Sequence, residues 1–115
     1  MWNSNTGNWK VEFTEAAEED FRKLDGQQKR IVAKAIIKAA QNPLPHSEGG
    51  YGIPPGNKHG FDLTGCCELK LRGEELRIVY ELKRDVLIMR NIAVSRRSDL
   101  EVYRIAAERS GRSKP

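Results

Sequence analysis

Basic side chains recur on the polar face of two predicted neighbouring strands in the second half of the chain. Each strand alternates apolar and polar residues, so Lys70, Arg72 and Arg77 all point to the polar side. Two further arginines, Arg96 and Arg97, follow the last predicted strand, directly before a serine that can cap a helix. Cations at a helix N-terminus oppose the helix dipole, so a bound anion explains these arginines better than local stability does.

The residue types at these positions suit a phosphodiester substrate. Tyr103, about one turn into the following helix, adds a phenol to the cations. Positive groups can hold a scissile phosphate and stabilise the extra negative charge of its transition state. In RNA the adjacent 2′-hydroxyl can serve as nucleophile, so the protein needs only a base, an acid and charge stabilisation, without a metal or cofactor. The spacing alone equally allows ordinary rim arginines with Tyr103 packed in the core.

The distribution of charge supports an anionic partner. Residues 1–65 carry eight Lys or Arg and eight Asp or Glu, whereas residues 66–115 carry twelve basic and eight acidic side chains. The second half therefore supplies the whole formal net charge of +4. Nucleic acid is the commonest partner of such a surface, although a lysine- and arginine-rich surface can also serve solubility alone.

The remaining reactive residue types give little support for other chemistry. His46 and His59 lie in a predicted loop without cysteines or patterned carboxylates nearby, so we expect no metal site. Cys66 and Cys67 are adjacent, which disfavours a disulfide between them and matches no zinc site. No apolar run approaches the roughly 20 residues of a membrane span, and the polar N-terminus does not resemble a signal peptide. We therefore expect a cytoplasmic protein that does not enter a membrane.

The first half of the chain predicts a strand followed by a helical hairpin. Residues 9–13 alternate apolar and charged side chains, which indicates a half-buried strand. Thr14 can cap the first helix. Asp25 and Gln28 form a capping box for the second helix, which ends before Pro43.

The second half predicts a long loop, three strands and a last helix. Residues 43–60 contain four of the five prolines and five glycines, so they form a loop of about 18 residues. Strands are predicted over residues 67–72, 76–82 and 86–94. A capping box opens the last helix, over residues 98–109.

This order of elements predicts an α+β fold. We expect an antiparallel sheet of about four strands, helices on one side of it and charged residues on the other. The last strand, nearly continuously apolar, should lie in the middle of the sheet. Residues 1–115 form a single domain in this interpretation, with loose tails at 1–8 and 110–115.

Short segments along the chain, in their order and spacing, resemble the RelE/ParE toxin superfamily. Residues 63–72 (LTGCCELKLR) are similar to the family's Leu-x-Gly-x-x-x-x-Lys/Arg-Leu/Ile strand, and residues 76–80 (LRIVY) to its Tyr-Arg-Leu-Val-Tyr strand. The other matching segments are residues 9–13, 21–24, 28–31, 93–97 and 102–103. The resemblance implies a toxin that a cognate antitoxin holds inactive.

Two activities occur within this superfamily, cleavage of mRNA in the ribosomal A site by the RelE branch and poisoning of DNA gyrase by the ParE branch. The RelE branch uses a basic strand pair with an arginine and a tyrosine near the last helix. The resemblance implies that Arg77 binds and polarises the phosphate and that Arg97 stabilises charge or protonates the leaving 5′-oxygen. It also implies that Tyr103 or Lys70 assists deprotonation or orients the nucleotide. We expect Arg72 and Arg96 to add phosphate contacts.

One position departs from the RelE pattern. A lysine commonly stands two residues before Lys70, and here Glu68 takes its place. This carboxylate is either the general base or a group that weakens phosphate binding. We therefore predict a ribosome-dependent endoribonuclease, with a gyrase inhibitor and a non-catalytic antitoxin-binding homologue as alternatives.

Overall fold

The computed structural model describes residues 9–55, 63–96 and 99–109. Its elements follow the predicted order. They are β1 (Lys10–Phe13), α1 (Glu15–Arg22), α2 (Gly26–Ala39), β2 (Cys66–Leu71), β3 (Leu76–Lys83), β4 (Ile88–Ser95) and α3 (Asp99–Arg109). The predicted loose tails, at residues 1–8 and 110–115, lie outside the described residues. No helix in the described ranges is long and apolar enough to cross a membrane.

The first two helices begin at the predicted caps. Thr14 Oγ1 accepts a hydrogen bond from the backbone N–H of Ala17 at 3.1 Å. Asp25 Oδ1 accepts from the N–H of Gln28 at 2.8 Å, and Gln28 Oε1 accepts from the N–H of Asp25 at 3.3 Å. These bonds satisfy N–H groups that have no partner within the helix, so both starts are fixed locally by sequence. Ser98, the predicted cap of α3, lies outside the described residues.

The sheet has the strand order β1-β4-β3-β2, so β4 is central as predicted. The expectation of a purely antiparallel sheet is wrong in one pairing, because β1 runs parallel to β4 from Lys10 beside Ile88 to Phe13 beside Asn91. A tight turn forces neighbouring strands to be antiparallel, but β1 joins the sheet through two helices. The pairs β2–β3 and β3–β4 are antiparallel.

The helices lie on both faces of the sheet, which corrects the prediction that they share one side. α2 packs on one face, where Val32 and Ile36 join Ile78 in a buried cluster. α3 packs on the other, where Val102 joins Val79 in a second cluster. Consecutive residues of β3 are apolar and point to opposite faces of the sheet, so both faces must be buried beneath other elements. The predicted charged face is thus confined to the ends of the strands that α3 leaves uncovered.

The turn between β3 and β4 is longer than predicted. Val86 and Leu87 were expected to begin the last strand, but they lie in the turn and are 58% and 46% exposed. Leu87 has a φ of 55°, in the left-handed region, which is incompatible with a continuous strand. Its carbonyl instead accepts a hydrogen bond from the N–H of Lys10 at 2.9 Å, where β1 begins.

Part of the long loop is bound to β3 through Tyr80 and to the edge strand β2 through Ile53. The Tyr80 hydroxyl donates to the carbonyl of Pro43 at 2.7 Å. Ile53 and Glu68 exchange two backbone hydrogen bonds, of 3.0 and 2.8 Å, so Ile53 pairs with this edge strand at Glu68. Gly52 passes so close to the Tyr80 hydroxyl that a Cβ atom would overlap it.

Asp20 and Arg109 form a polar clasp, a pair of charged side chains that bind the backbone of β4 along the edge beyond the end of β1. Asp20 on α1 accepts from the N–H of Val94 at 3.0 Å. Arg109 on α3 donates to the carbonyl of Ile92 at 2.9 Å and to the Asp20 carboxylate at 2.6 Å. The two side chains satisfy an open strand edge and tie α1, α3 and β4 together.

Candidate nucleic-acid interface

A cleft of about 360 Å³ opens beside the turn that joins β2 to β3. Four cationic side chains line it, namely Lys70, Arg72, Arg77 and Arg96. Glu75 lines it as well. Four of the residues singled out from the sequence therefore share one concave surface.

Strand register explains why these cations meet. Lys70 on β2 is the direct partner of Arg77 on β3, so their side chains leave the same face of the sheet. Arg77 is in turn the partner of Ser95 on β4, which places Arg96 at the same end of the sheet. Arg72 begins the short turn after β2. The antiparallel β2–β3–β4 meander thus collects residues up to 26 positions apart in the sequence.

Like charges held together favour an anionic ligand. Arg72 and Arg96 are exposed, whereas the Arg77 side chain is only 26% exposed and forms the inner wall of the cleft. Four cations on one concave surface concentrate a positive potential, and a cleft focuses it. A phosphate suits guanidinium groups, since two N–H groups can bind two of its oxygens.

Glu68 and Tyr103 lie behind the cleft rather than in it. Both side chains are fully buried, at 0% exposure. The Tyr103 hydroxyl donates to Glu68 Oε2 at 2.6 Å, and Glu68 Oε1 lies 3.9 Å from an Nη atom of Arg77. The structure thus places Glu68 next to Arg77, on the side away from solvent, and places Tyr103 next to Glu68. Arg97, the remaining predicted residue, lies outside the described residues.

Glu75 lines the cleft although the sequence predicts only a turn between two strands at this position. It has a φ of 55° and a ψ of 38°, a left-handed conformation that is uncommon for residues other than glycine, asparagine and aspartate. No local pattern signals this position, because a left-handed residue at the end of a turn does not follow the alternation of a strand.

An apolar groove of about 280 Å³ adjoins the cleft between α2 and the edge of β2. Leu69, Ile53 and Ala35 line it, and Lys70 lines both cavities. Lys38 lies over the ring of Tyr51 at its rim, 5.4 Å from the centroid.

Two buried groups on the other side of the sheet are kept neutral by their surroundings. Burial raises the pKa of the Cys67 thiol from 9.0 to about 11, and a hydrogen bond with Tyr80 offsets part of that rise. Burial likewise raises the pKa of the Tyr80 hydroxyl. Neither group is ionised near neutral pH, so neither can act there as a nucleophile.

Comparisons with known proteins point to one superfamily. The sequence model for the ParE toxin of the type II toxin–antitoxin system parDE matches residues 11–101. A protein of Escherichia coli named as a RelE-like toxin is 32% identical over 101 residues, which cover 88% of this chain and 96% of that protein. The mRNA interferase toxin RelE of Escherichia coli K12 is 25% identical over 99 residues, covering 86% and 94%.

A solved structure shares the fold. A chain in the crystal structure of the intact Escherichia coli RelBE toxin–antitoxin complex superimposes with a TM-score of 0.60 at 21% identity. The superposition covers 78% of this chain and 98% of that one. This likeness confirms the α+β architecture.

Proposed function

The chain belongs to the ParE toxin family of type II toxin–antitoxin systems, in the RelE/ParE superfamily, and from that premise we propose that it cuts mRNA on the ribosome. The observation that carries the proposal is the cleft in which Lys70, Arg72, Arg77 and Arg96 converge. A second support is the relative named as the mRNA interferase toxin RelE. The proposed place of action is the ribosomal A site, in the cytoplasm.

The cleft has the charge that phosphodiester cleavage requires. Arg77 binds a non-bridging oxygen of the scissile phosphate and stabilises the charge of the transition state. Lys70, its cross-strand neighbour, assists removal of the proton from the 2′-hydroxyl. The proton passes to water in the cleft as the 2′-oxygen attacks phosphorus. The bond to the 5′-oxygen breaks, and Arg97 stabilises or protonates that leaving oxygen. Arg72 and Arg96 hold the flanking phosphates, so no metal enters the proposed mechanism.

A cognate antitoxin is the proposed protein partner, since the fold relative was crystallised as a toxin–antitoxin complex. An acidic antitoxin segment at the cleft would neutralise Lys70, Arg72 and Arg96 and exclude RNA by competition for the same charges. The apolar groove next to the cleft supplies a surface for apolar side chains of that segment.

The experiment is inducible expression combined with mapping of mRNA 5′ ends. The test variant Lys70→Ala/Arg96→Ala removes two cleft cations. The matched control Lys23→Ala/Lys34→Ala removes two exposed cations, one directly after α1 and one on α2. We expect the wild type and the control to arrest growth and to cut within translated frames, and the test variant to do neither. Cuts that persist in the test variant would refute the assignment of the cleft.

Gyrase inhibition is the second candidate, because the matching family model is that of the ParE toxin. It predicts DNA-damage signalling while translation continues at first, without new mRNA 5′ ends. A non-catalytic antitoxin-binding homologue is the third, and it predicts tight partner binding with no growth arrest at any expression level.

A further inference from the structure

The carboxylate of Glu68 is buried directly behind a cationic cleft. Glu68 is 0% exposed, while Lys70, two residues further along the same strand, lines the cleft. Oε2 accepts the 2.6 Å hydrogen bond from Tyr103, and Oε1 accepts no hydrogen bond from any described residue but lies 3.9 Å from the guanidinium of Arg77. A buried carboxylate is costly unless it is paired, so Arg77 and Tyr103 are the groups that make its burial tolerable.

Burial decides what Glu68 can do. A general base must come within hydrogen-bond reach of the proton that it takes. Glu68 has no accessible surface, and β2, β3 and α3 enclose it, so a 2′-hydroxyl in the cleft cannot reach it. The same holds for Tyr103, whose hydroxyl already donates to Glu68.

We propose that Glu68 is a positioning residue, which the Tyr103 hydroxyl holds from α3 and which sets the direction of the Arg77 guanidinium in the cleft. Arginine is long and flexible, and its planar fork binds a phosphate well only when it is oriented. A carboxylate behind one Nη atom holds that end of the fork inwards, so the fork keeps one direction relative to the cleft that Arg77 lines. The proposal rests on the proposed function for what Arg77 then binds.

The arrangement links three elements through side chains far apart in sequence. Glu68 lies on β2, Arg77 on β3 and Tyr103 on α3, 35 residues after Glu68. Removal of the Tyr103 hydroxyl should therefore lower kcat, as loss of the Glu68 charge does, but by a smaller factor. Tyr103→Phe also changes no charge and little volume, so it serves as the second variant if Glu68→Gln fails to fold.

The matched control is Glu81→Gln. Glu81 is also a nearly buried carboxylate, at 7% exposure, and it pairs with Arg90 at 3.4 Å, but it lies towards the far end of the sheet from the cleft. We expect Glu68→Gln to lower kcat for ribosome-dependent cleavage by about 10²-fold, as misplacing a catalytic group by about 1 Å can do, with a smaller change in KM. Glu81→Gln should leave both constants unchanged. Full activity of Glu68→Gln would overturn the proposal.

A double-mutant cycle separates positioning from a general loss of structure. In an Arg77→Lys background the guanidinium is already absent, so Glu68→Gln should have little further effect on kcat if it acts through Arg77. An equal loss in both backgrounds would overturn the proposal and assign Glu68 a purely structural role.

A readout without catalysis distinguishes failure of this inference from failure of the proposed function. The Nε–H resonance of Arg77 in an NMR spectrum reports the order of the guanidinium, whatever the protein cuts. We expect an ordered signal in the wild type and in Glu81→Gln, and an averaged one in Glu68→Gln and Tyr103→Phe. An unchanged Arg77 signal in Glu68→Gln would overturn the positioning role even if RNA cleavage is established.

Discussion

Arg77 stands between two environments, the cleft on one side and the buried Glu68 carboxylate on the other. Its side chain is 26% exposed and that of Glu68 is not exposed at all. A substitution at Arg77 therefore changes two properties together, the binding of an anion in the cleft and the compensation of a buried charge. Loss of toxicity in Arg77→Ala alone would not distinguish them.

The stability of Arg77 variants should depend on Glu68. Arg77→Ala leaves the buried carboxylate without its nearby cation, so we expect the free energy of unfolding to fall by about 3 kcal/mol. Glu68→Gln/Arg77→Ala removes the uncompensated charge and should recover part of that loss. Denaturant unfolding of the antitoxin-free proteins measures both. A double variant no more stable than Arg77→Ala would show that the pair has no such coupling.

Cys67 should make stability depend on pH in the alkaline range. Its pKa rises from 9.0 to about 11 on burial, so the folded protein holds the thiol proton more tightly than the unfolded chain does. The resulting stabilisation is complete below pH 9 and is lost as the pH rises towards 11, by about 2 kcal/mol for a shift of this size. Cys67→Ala should lower stability at pH 8 and reduce the alkaline decline. Thermal melts of both proteins from pH 8 to 11 test this, and parallel curves would contradict it.

At the scale of elements, local patterns predicted the helix starts and the strand order of the meander. They did not predict how β1 pairs with the sheet or how α1 and α3 contact each other. Thr14 and Asp25 form their caps with residues three positions away, so their effect is readable from adjacent sequence. The parallel pairing of β1 with β4 joins segments about 78 residues apart, and no local pattern encodes it. The clasp between Asp20 and Arg109 is equally long-range, at 89 residues.

Asp20 should contribute more to stability than its neighbours on α1. Asp20→Ala leaves the Val94 N–H without its acceptor and Arg109 without its carboxylate, so we expect a loss of about 2 kcal/mol in the free energy of unfolding. Glu19→Ala removes an exposed pair with Arg22 and should cost less than about 0.5 kcal/mol. Urea unfolding compares the two. Amide exchange in α3 should also accelerate in Asp20→Ala, and equal exchange rates would argue against the clasp.

At the scale of the whole molecule, folding gathers part of the excess of basic residues from the second half of the chain in one cleft. The net charge of +4 does not by itself specify a site. The meander concentrates Lys70, Arg72, Arg77 and Arg96 in one cleft. Several arginines outside the cleft form ion pairs with exposed carboxylates. Arg84 with Glu48 and Arg104 with Glu101 are examples.

The proposed RNA interface should show a defined dependence on salt. Four phosphate contacts predict a slope of about −3 in log K against log salt for a single-stranded RNA, since each contributes about 0.7. Arg96→Ala should reduce the magnitude of the slope by about 0.7, whereas Lys34→Ala, outside the cleft, should not change it. Fluorescence anisotropy with a 2′-O-methyl RNA oligonucleotide measures the slopes. Equal slopes in the wild type and Arg96→Ala would place the RNA elsewhere.

The sequence by itself determined the elements and the approximate membership of the cleft. Periodicity and caps depend on residues two to four positions apart, and Lys70 and Arg77 meet because one short turn joins their strands. Only the tertiary structure decided that Glu68 and Tyr103 are buried and bonded to each other, and that Glu75 faces the cleft. Burial depends on which distant segment covers a residue, and α3 covers the face on which Glu68 lies. A carboxylate that looked like a candidate base from its position in a basic strand therefore lies behind the cleft wall.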